Sequence, residues 1–147
     1  RRPLKYAPTS RERSTSPSST STRMAARAIT RRYDAYARRF GITATQYSLL
    51  GLILTTGEKT VTELAEARGF ERTTLTRNLN RLEAMGLITS RAAERGNGRI
   101  CGLTDKGQAL VRDMLPEWRK AQADLRAALG PDGFDATVAT LQRLAAL

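Results

Sequence analysis

The run from Arg72 to Arg81, Arg-Thr-Thr-Leu-Thr-Arg-Asn-Leu-Asn-Arg, is dense in side chains that can hydrogen-bond to the edges of bases. Written onto a helix, Leu75, Leu79 and Leu82 fall on one face. Thr73, Thr74, Arg77, Asn78 and Arg81 fall on the other, with Arg72 and Thr76 flanking. An arginine can donate to O6 and N7 of guanine together, an asparagine can pair with N6 and N7 of adenine, and a threonine can bond phosphate or pack on a thymine methyl. No acid interrupts the exposed side between Arg72 and Arg81, whereas a merely solvated helix typically mixes Glu with Lys. A second cluster, Arg91, Arg95, Asn97 and Arg99, sits around Gly96 and Gly98. An arginine beside glycine on a thin hairpin suits a narrow, negative minor groove. Arg95 is the expected tip, and Arg99 a phosphate clamp or second tip. A solvated hairpin, with Gly and Asn serving only the turn, is the plainer alternative.

These residues need elements to hold them. Thr60-Val-Thr-Glu63 is a capping box, in which the Thr60 hydroxyl accepts the amide of residue 63 and Glu63 reaches back to residue 60. It predicts a short helix over Val61–Arg68, ended by Gly69, and a second from Arg72 to Met85, ended by Gly86. Two helices crossing steeply through a three-residue turn need a small residue at their contact, which Ala65 supplies. The turn needs tolerance of positive φ, which Gly69 supplies. With Phe70, Leu75, Leu79 and Leu82 as anchors, this is helix-turn-helix spacing. Leu87–Arg91 and Arg99–Leu103 read as two strands joined by residues 92–98, a wing.

Upstream, Ala26, Ile29, Tyr33, Tyr36 and Phe40 form a heptad-like seam on a helix from Arg23, ended by Gly41. Gln46–Leu54 is apolar on most sides and predicts a helix buried all round, stopped by Gly57. Downstream, Thr104 caps a long helix, Asp105–Leu129, which Pro116 should kink. Gly130-Pro131 is a stop and restart, and Phe134, Val138, Leu141 and Ala145 line a last helix.

Composition narrows the chemistry. The 147 residues include 25 Lys+Arg, 14 Asp+Glu, no histidine and one cysteine, for a net charge of +11. That balance favours a polyanionic partner. Without histidine there is no Ser-His-Asp or Cys-His nucleophile, and a lone cysteine makes no zinc cluster. No metal or cofactor is expected, and an enzyme is the least favoured class. Cys101 alternates with Leu103 along its strand, so a buried structural thiol is expected rather than a redox sensor. A single cysteine forms no internal disulfide, as suits a reducing compartment. No apolar run reaches the length of a membrane span.

The charge is uneven. Residues 1–40 hold eleven basic residues against Glu12 and Asp34, a net +9, and residues 41–147 only +2. Residues 1–22, rich in Ser, Thr, Pro and Arg, read as a basic flexible arm. An organellar transit peptide shares that composition, but Pro3, Pro8, Pro17 and the lack of an apolar face argue against one. The chain opens on Arg1 rather than Met, as a processed or partial chain would.

At Thr60–Gly69 (TVTELAEARG), Glu71–Leu87 (ERTTLTRNLNRLEAMGL) and Leu103–Leu110 (LTDKGQAL) the sequence resembles the MarR family of bacterial winged-helix transcriptional regulators. The resemblance runs in order over residues 23–147. It implies a mainly α fold with a small β wing, in which residues 44–103 are the winged helix-turn-helix and residues 23–43 and 104–147 a helical dimerisation region. It further implies a cytoplasmic bacterial homodimer on a pseudo-palindromic operator, usually a repressor, with a small-molecule effector or thiol oxidation weakening DNA binding in many relatives. Where similar regulators carry cysteines near the first helix, this chain has Pro17, Ser18 and Ser19, so thiol sensing there is not expected. Relatives frame an effector pocket with the helices that here carry Arg32, Tyr33, Tyr36, Tyr47 and Trp118, which suit a small aromatic or anionic ligand. Core packing and a solvated basic face are the simpler account of the same residues.

Two other readings differ in class. A non-specific architectural DNA-binding protein fits the basic N-terminal stretch. A protein-binding winged helix without a DNA role fits less well, because the outward side of residues 72–81 lacks acids.

Overall fold

The computed structural model describes residues 19–57, 59–96 and 98–147. Of the predicted basic arm, residues 1–18 lie outside the described residues, as does Asn97 of the predicted wing. The chain divides into two units, Arg1–Arg32 and Tyr33–Leu147. In the first unit the described residues are helical and mostly exposed, and the Thr30 hydroxyl donates back to the Ala26 carbonyl at 2.8 Å. Their helix, α1 (Ser19–Ala37), starts four residues before the predicted Arg23. Ser and Thr are well suited to a first helical turn, where their hydroxyls can meet unpaired amides.

In the second unit a 3-10 turn, Arg38–Phe40, closes on Gly41 at φ 73°. Then come α2 (Ala44–Thr56), α3 (Val61–Arg68), α4 (Arg72–Ala84), β1 (Ile88–Ala92), β2 (Arg99–Leu103), α5 (Asp105–Leu129) and α6 (Pro131–Ala145). The core is built around α2, whose Tyr47, Leu49, Leu50, Leu52 and Ile53 are all buried. Leu54, expected to share that environment, is instead exposed. Val61 and Leu64 of α3, the leucines of α4, Leu87, Ile88, Cys101 and Met114 complete the cluster. The Cys101 thiol is buried and lies 3.7 Å from the Ser90 hydroxyl.

The starts of α2 and α3 have a local cause. Thr43 and Gln46 form a capping box on α2, which the sequence reading did not identify, and Thr60 and Glu63 form the expected one on α3. Donation from the Thr60 amide and hydroxyl holds the Glu63 carboxyl below its usual range. Gly69 takes φ 63°, as the helix-turn-helix turn requires. The strands pair antiparallel, Ile88 with Leu103 through Ala92 with Arg99. The first strand starts one residue later than expected. Helix α5 runs as a single element through Pro116.

The sequence Leu103-Thr-Asp-Lys-Gly107 joins the wing to the end of α4. Thr104 accepts the Gly107 amide, its own hydroxyl donates to the Gly86 carbonyl at 2.6 Å, and Lys106 donates to the Met85 carbonyl at 2.8 Å. Gly107 is buried so closely that an added Cβ would lie 2.0 Å from the Leu87 carbonyl oxygen. Backbone cannot yield as a flexible side chain can. Gly107→Ala should therefore destabilise the fold by about 3 kcal/mol. Gly51, inside α2, faces open space, and a Cβ added there would meet nothing within 4 Å. Gly51→Ala should stabilise by about 0.5–1 kcal/mol through helix propensity. Urea unfolding of both variants checks the pair of opposite signs.

Candidate nucleic-acid interface

Leu75, Leu79 and Leu82 are wholly buried, and they set the rotation of α4 about its own axis. Arg72, Thr73, Arg77, Asn80 and Arg81 are exposed, while Thr74, Thr76 and Asn78 are half-buried. Arg72, Thr73, Thr76, Arg77 and Asn80 line one shallow groove along the helix. Arg72 also leans on the Thr62 hydroxyl of α3 at 3.5 Å. Glu71, at the N-cap, makes no side-chain cap bond, so the positive end of the helix is not covered by its own cap residue.

The sequence reading named Asn78 on the outward face and did not name Asn80. At about 100° per residue, Thr73, Arg77 and Asn80 lie within roughly 60° of one another, whereas Asn78 swings toward the leucines. The structure gives each end of the Asn78 amide an internal partner. Its Nδ2 donates to the Thr74 carbonyl at 3.0 Å, and its Oδ1 accepts from Gln46 Nε2 at 3.4 Å. Gln46 is itself buried, and its Oε1 accepts the Thr43 amide at 3.0 Å. The cap of α2 is thereby tied to the flank of α4.

The wing projects from this frame. The Ala93 amide donates to the Gly98 carbonyl at 2.7 Å, closing the hairpin, and Gly96 takes φ 77°. Arg91 and Arg95 are exposed. Arg99 is turned inward: it donates to Glu83 Oε2 and Asn80 Oδ1, each at 2.8 Å, and to the Ser90 hydroxyl at 2.9 Å. A clamp reaching out to phosphate, as the sequence suggested, would have to leave these partners.

The sequence profile of the MarR family matches residues 40–100, from just before α2 to the start of β2. In fold and sequence together the chain is similar to MosR, a transcriptional regulator of Mycobacterium tuberculosis solved in complex with DNA. The two are 36% identical over 88% of this chain and 96% of MosR, with a TM-score of 0.75. The chain belongs to the MarR family. A mutant MarR of Escherichia coli complexed with operator DNA shares the fold at a TM-score of 0.75, with 22% identity over 84% of this chain and 89% of that one. A curated HTH-type transcriptional regulator of M. tuberculosis is 41% identical over 75 residues, 47% of this chain, and the match spans only 30% of that relative's length.

As a MarR-family protein the chain also carries an aromatic cleft beside its helix-turn-helix. The Tyr33 and Trp118 rings stack at 4.4 Å, and Tyr47 meets Trp118 at 4.9 Å, tilted by 44°. Burial raises the pKa of both phenols. Tyr47 and Trp118 line a cleft of about 560 Å³ with Leu52, Phe70 and Leu115, and with Arg68, a cation the sequence reading missed. Neither Tyr33 nor Tyr36 is among the lining residues: Tyr33 backs the cleft only through its stacking on Trp118, and the Tyr36 phenol donates to Asp124, which raises its pKa. Arg32, in the first unit, is exposed.

Gln46→Ala removes both the buried amide and its half of the capping box. The variant should lose about 1–2 kcal/mol of stability in urea unfolding. Asn78→Ala, which leaves the cap intact, should lose less.

Proposed function

We propose that this MarR-family regulator binds DNA sequence-specifically, as a homodimer on a pseudo-palindromic site, and represses transcription there. The observation that carries the reading is the outward row of α4. Arg72, Thr73, Thr76, Arg77 and Asn80 share one groove without an acid among them. Arg81 continues the exposed basic side, Thr74 and Asn78 flank it, and Arg91 and Arg95 extend it along the wing, to which the sequence also assigns Asn97. Arginine and asparagine in that row match guanine and adenine edges in a major groove, and Arg95 suits the adjoining minor groove. MosR, the similar protein, has been solved on DNA.

Residues 44–103 would form the reading head, and residues 23–43 and 104–147 the dimer contacts. Helix α6 supports that assignment, because Val138, Leu141 and Leu144 stand exposed on it. Apolar surface of this kind favours cover by a second copy. Pairing would set two α4 helices about one DNA turn apart, ~34 Å. The basic residues of the 1–22 arm would add phosphate contacts outside the half-sites. Among the described residues no helix is long and apolar enough to cross a membrane, and the protein is proposed to act in the bacterial cytoplasm.

The cleft at Trp118 is the candidate effector site. Its aromatic walls and Arg68 suit a small aromatic anion. Because Trp118 is the single tryptophan, its fluorescence reports occupancy directly. Aromatic carboxylates should quench it saturably, and Arg68→Ala should weaken the quenching. Unchanged emission across a panel of such acids would remove the effector assignment.

Selection from random duplex DNA tests the main reading. The expected winner has two-fold symmetry and half-sites about ten base pairs apart. A non-specific architectural protein would yield no consensus, and near-equal affinity for selected and scrambled duplexes at physiological salt. Arg77→Ala should cut the discrimination between those duplexes by about 1–3 kcal/mol. Equal loss on both would show that Arg77 does not read a base.

A further inference from the structure

We infer that Arg99 is a positioning residue that latches the wing to the recognition helix, and not a phosphate contact. The inference rests on the DNA-binding reading for its consequence, but the latch itself stands on geometry. All three guanidinium nitrogens are engaged. Nη2 meets Glu83, Nη1 meets Asn80 and Nε meets Ser90, at 2.8, 2.8 and 2.9 Å. Glu83 and Asn80 lie one turn apart on α4, Ser90 lies on β1, and Arg99 lies on β2. One planar fork therefore joins three elements, which the single ammonium of a lysine cannot reproduce. The Arg99 side chain is only 27% exposed.

A second contact supports the same strand from the opposite helix of the motif. Ile100 bridges to Thr60, the N-cap of α3, and a Cβ on Gly98 would lie 2.9 Å from the Thr60 methyl. The base of the wing is thus held against α3 at one point and α4 at the next, and only the tip around Arg95 projects. The latch also resolves the place of Glu83. An exposed acid on a DNA-facing helix would repel phosphate, and pairing with Arg99 offsets its charge. Asn80 gains a fixed orientation from the same bond, so one guanidinium sets both the wing and a member of the outward row.

The test uses the full chain, first without DNA. Amide hydrogen exchange in residues 88–103 should quicken in Arg99→Lys and Glu83→Gln, with α2 unchanged, and should not quicken in Arg95→Ala. Unaltered exchange in the first two variants would overturn the latch, whatever the protein binds. The second arm measures affinity for the selected duplex. Removing the negative charge of Glu83 should tighten binding if electrostatics alone acts. The latch requires Glu83→Gln to weaken it instead, by about fivefold. Hydroxyl-radical protection should then fade in the flanking minor groove but persist over the half-sites. Arg99→Lys should leave the dependence of affinity on salt unchanged. A comparable loss in Arg99→Ala, with the salt slope reduced by about 1, would make Arg99 a phosphate contact and overturn the proposal. If the unaltered protein shows no preference for any duplex, the function proposed above fails, and the exchange arm still decides the latch.

Discussion

The leucine stripe of α4 is the constraint on which the rest depends. Leu75, Leu79 and Leu82 are wholly withdrawn from water against a core organised by α2. Each fully buried leucine contributes about 1.5–3 kcal/mol relative to exposure. Turning α4 by one residue, about 100°, would bring arginine toward the apolar core and leucine toward water. The helix therefore has one rotational setting, and that setting decides which side chains face outward. Thr73, Arg77 and Asn80 form the outward row because the leucines leave no other choice.

Rotation alone does not locate a helix relative to its neighbours. The end of α4 is fixed by the strand that follows and by the start of α5. Leu87 holds the Thr104 amide, Gly86 accepts the Thr104 hydroxyl, Met85 accepts Lys106, and Gly107 lets the backbone close on Leu87. The beginning of α4 depends on the αL turn at Gly69 and on Phe70 packing against the core. Between those ends, Gln46 links the cap of α2 to Asn78. Polar groups here act as fasteners at the edges of an apolar contact that supplies most of the stabilisation.

How much of this the sequence carried follows from distance along the chain. Capping at Thr60 and Thr104, the turn at Gly69 and the restart at Pro131 are governed by residues within four positions of each other, and all were legible. The family resemblance was legible for the same reason, since its motifs are runs of caps, leucines and glycines. The partners of Arg99 lie 9, 16 and 19 residues away, and Gln46 lies 32 residues from Asn78. No periodicity announces such pairs, because they arise only when separate elements meet. Arg68 was missed similarly: it reads as the basic end of a short helix until Trp118 and Leu115 are brought beside it. Asn80 is different. Helix arithmetic alone sets it beside Thr73 and Arg77, so its place in the row was available from the sequence.

Charge placement connects these constraints to regulation. Residues 72–99 hold six arginines against Glu83 and Glu94, a small share of the +11 total. One of the six is occupied with Glu83, so the outward positive charge is smaller still and closely fixed in direction. A head built this way has little internal freedom to adjust: the wing is tied to α4, and α4 is tied to α2 and α5. In the proposed dimer, the separation of the two heads is then the coordinate most open to control. The aromatic cleft would bear on that coordinate in such a dimer, because its walls come from α2, from Arg68 and Phe70 around the helix-turn-helix turn, and from Leu115 and Trp118 of α5. A ligand seated there would press on the joint between the head and the long helix rather than on the outward row of α4. Two rigid heads must match one DNA pitch, so a small change at that joint would weaken both half-sites at once.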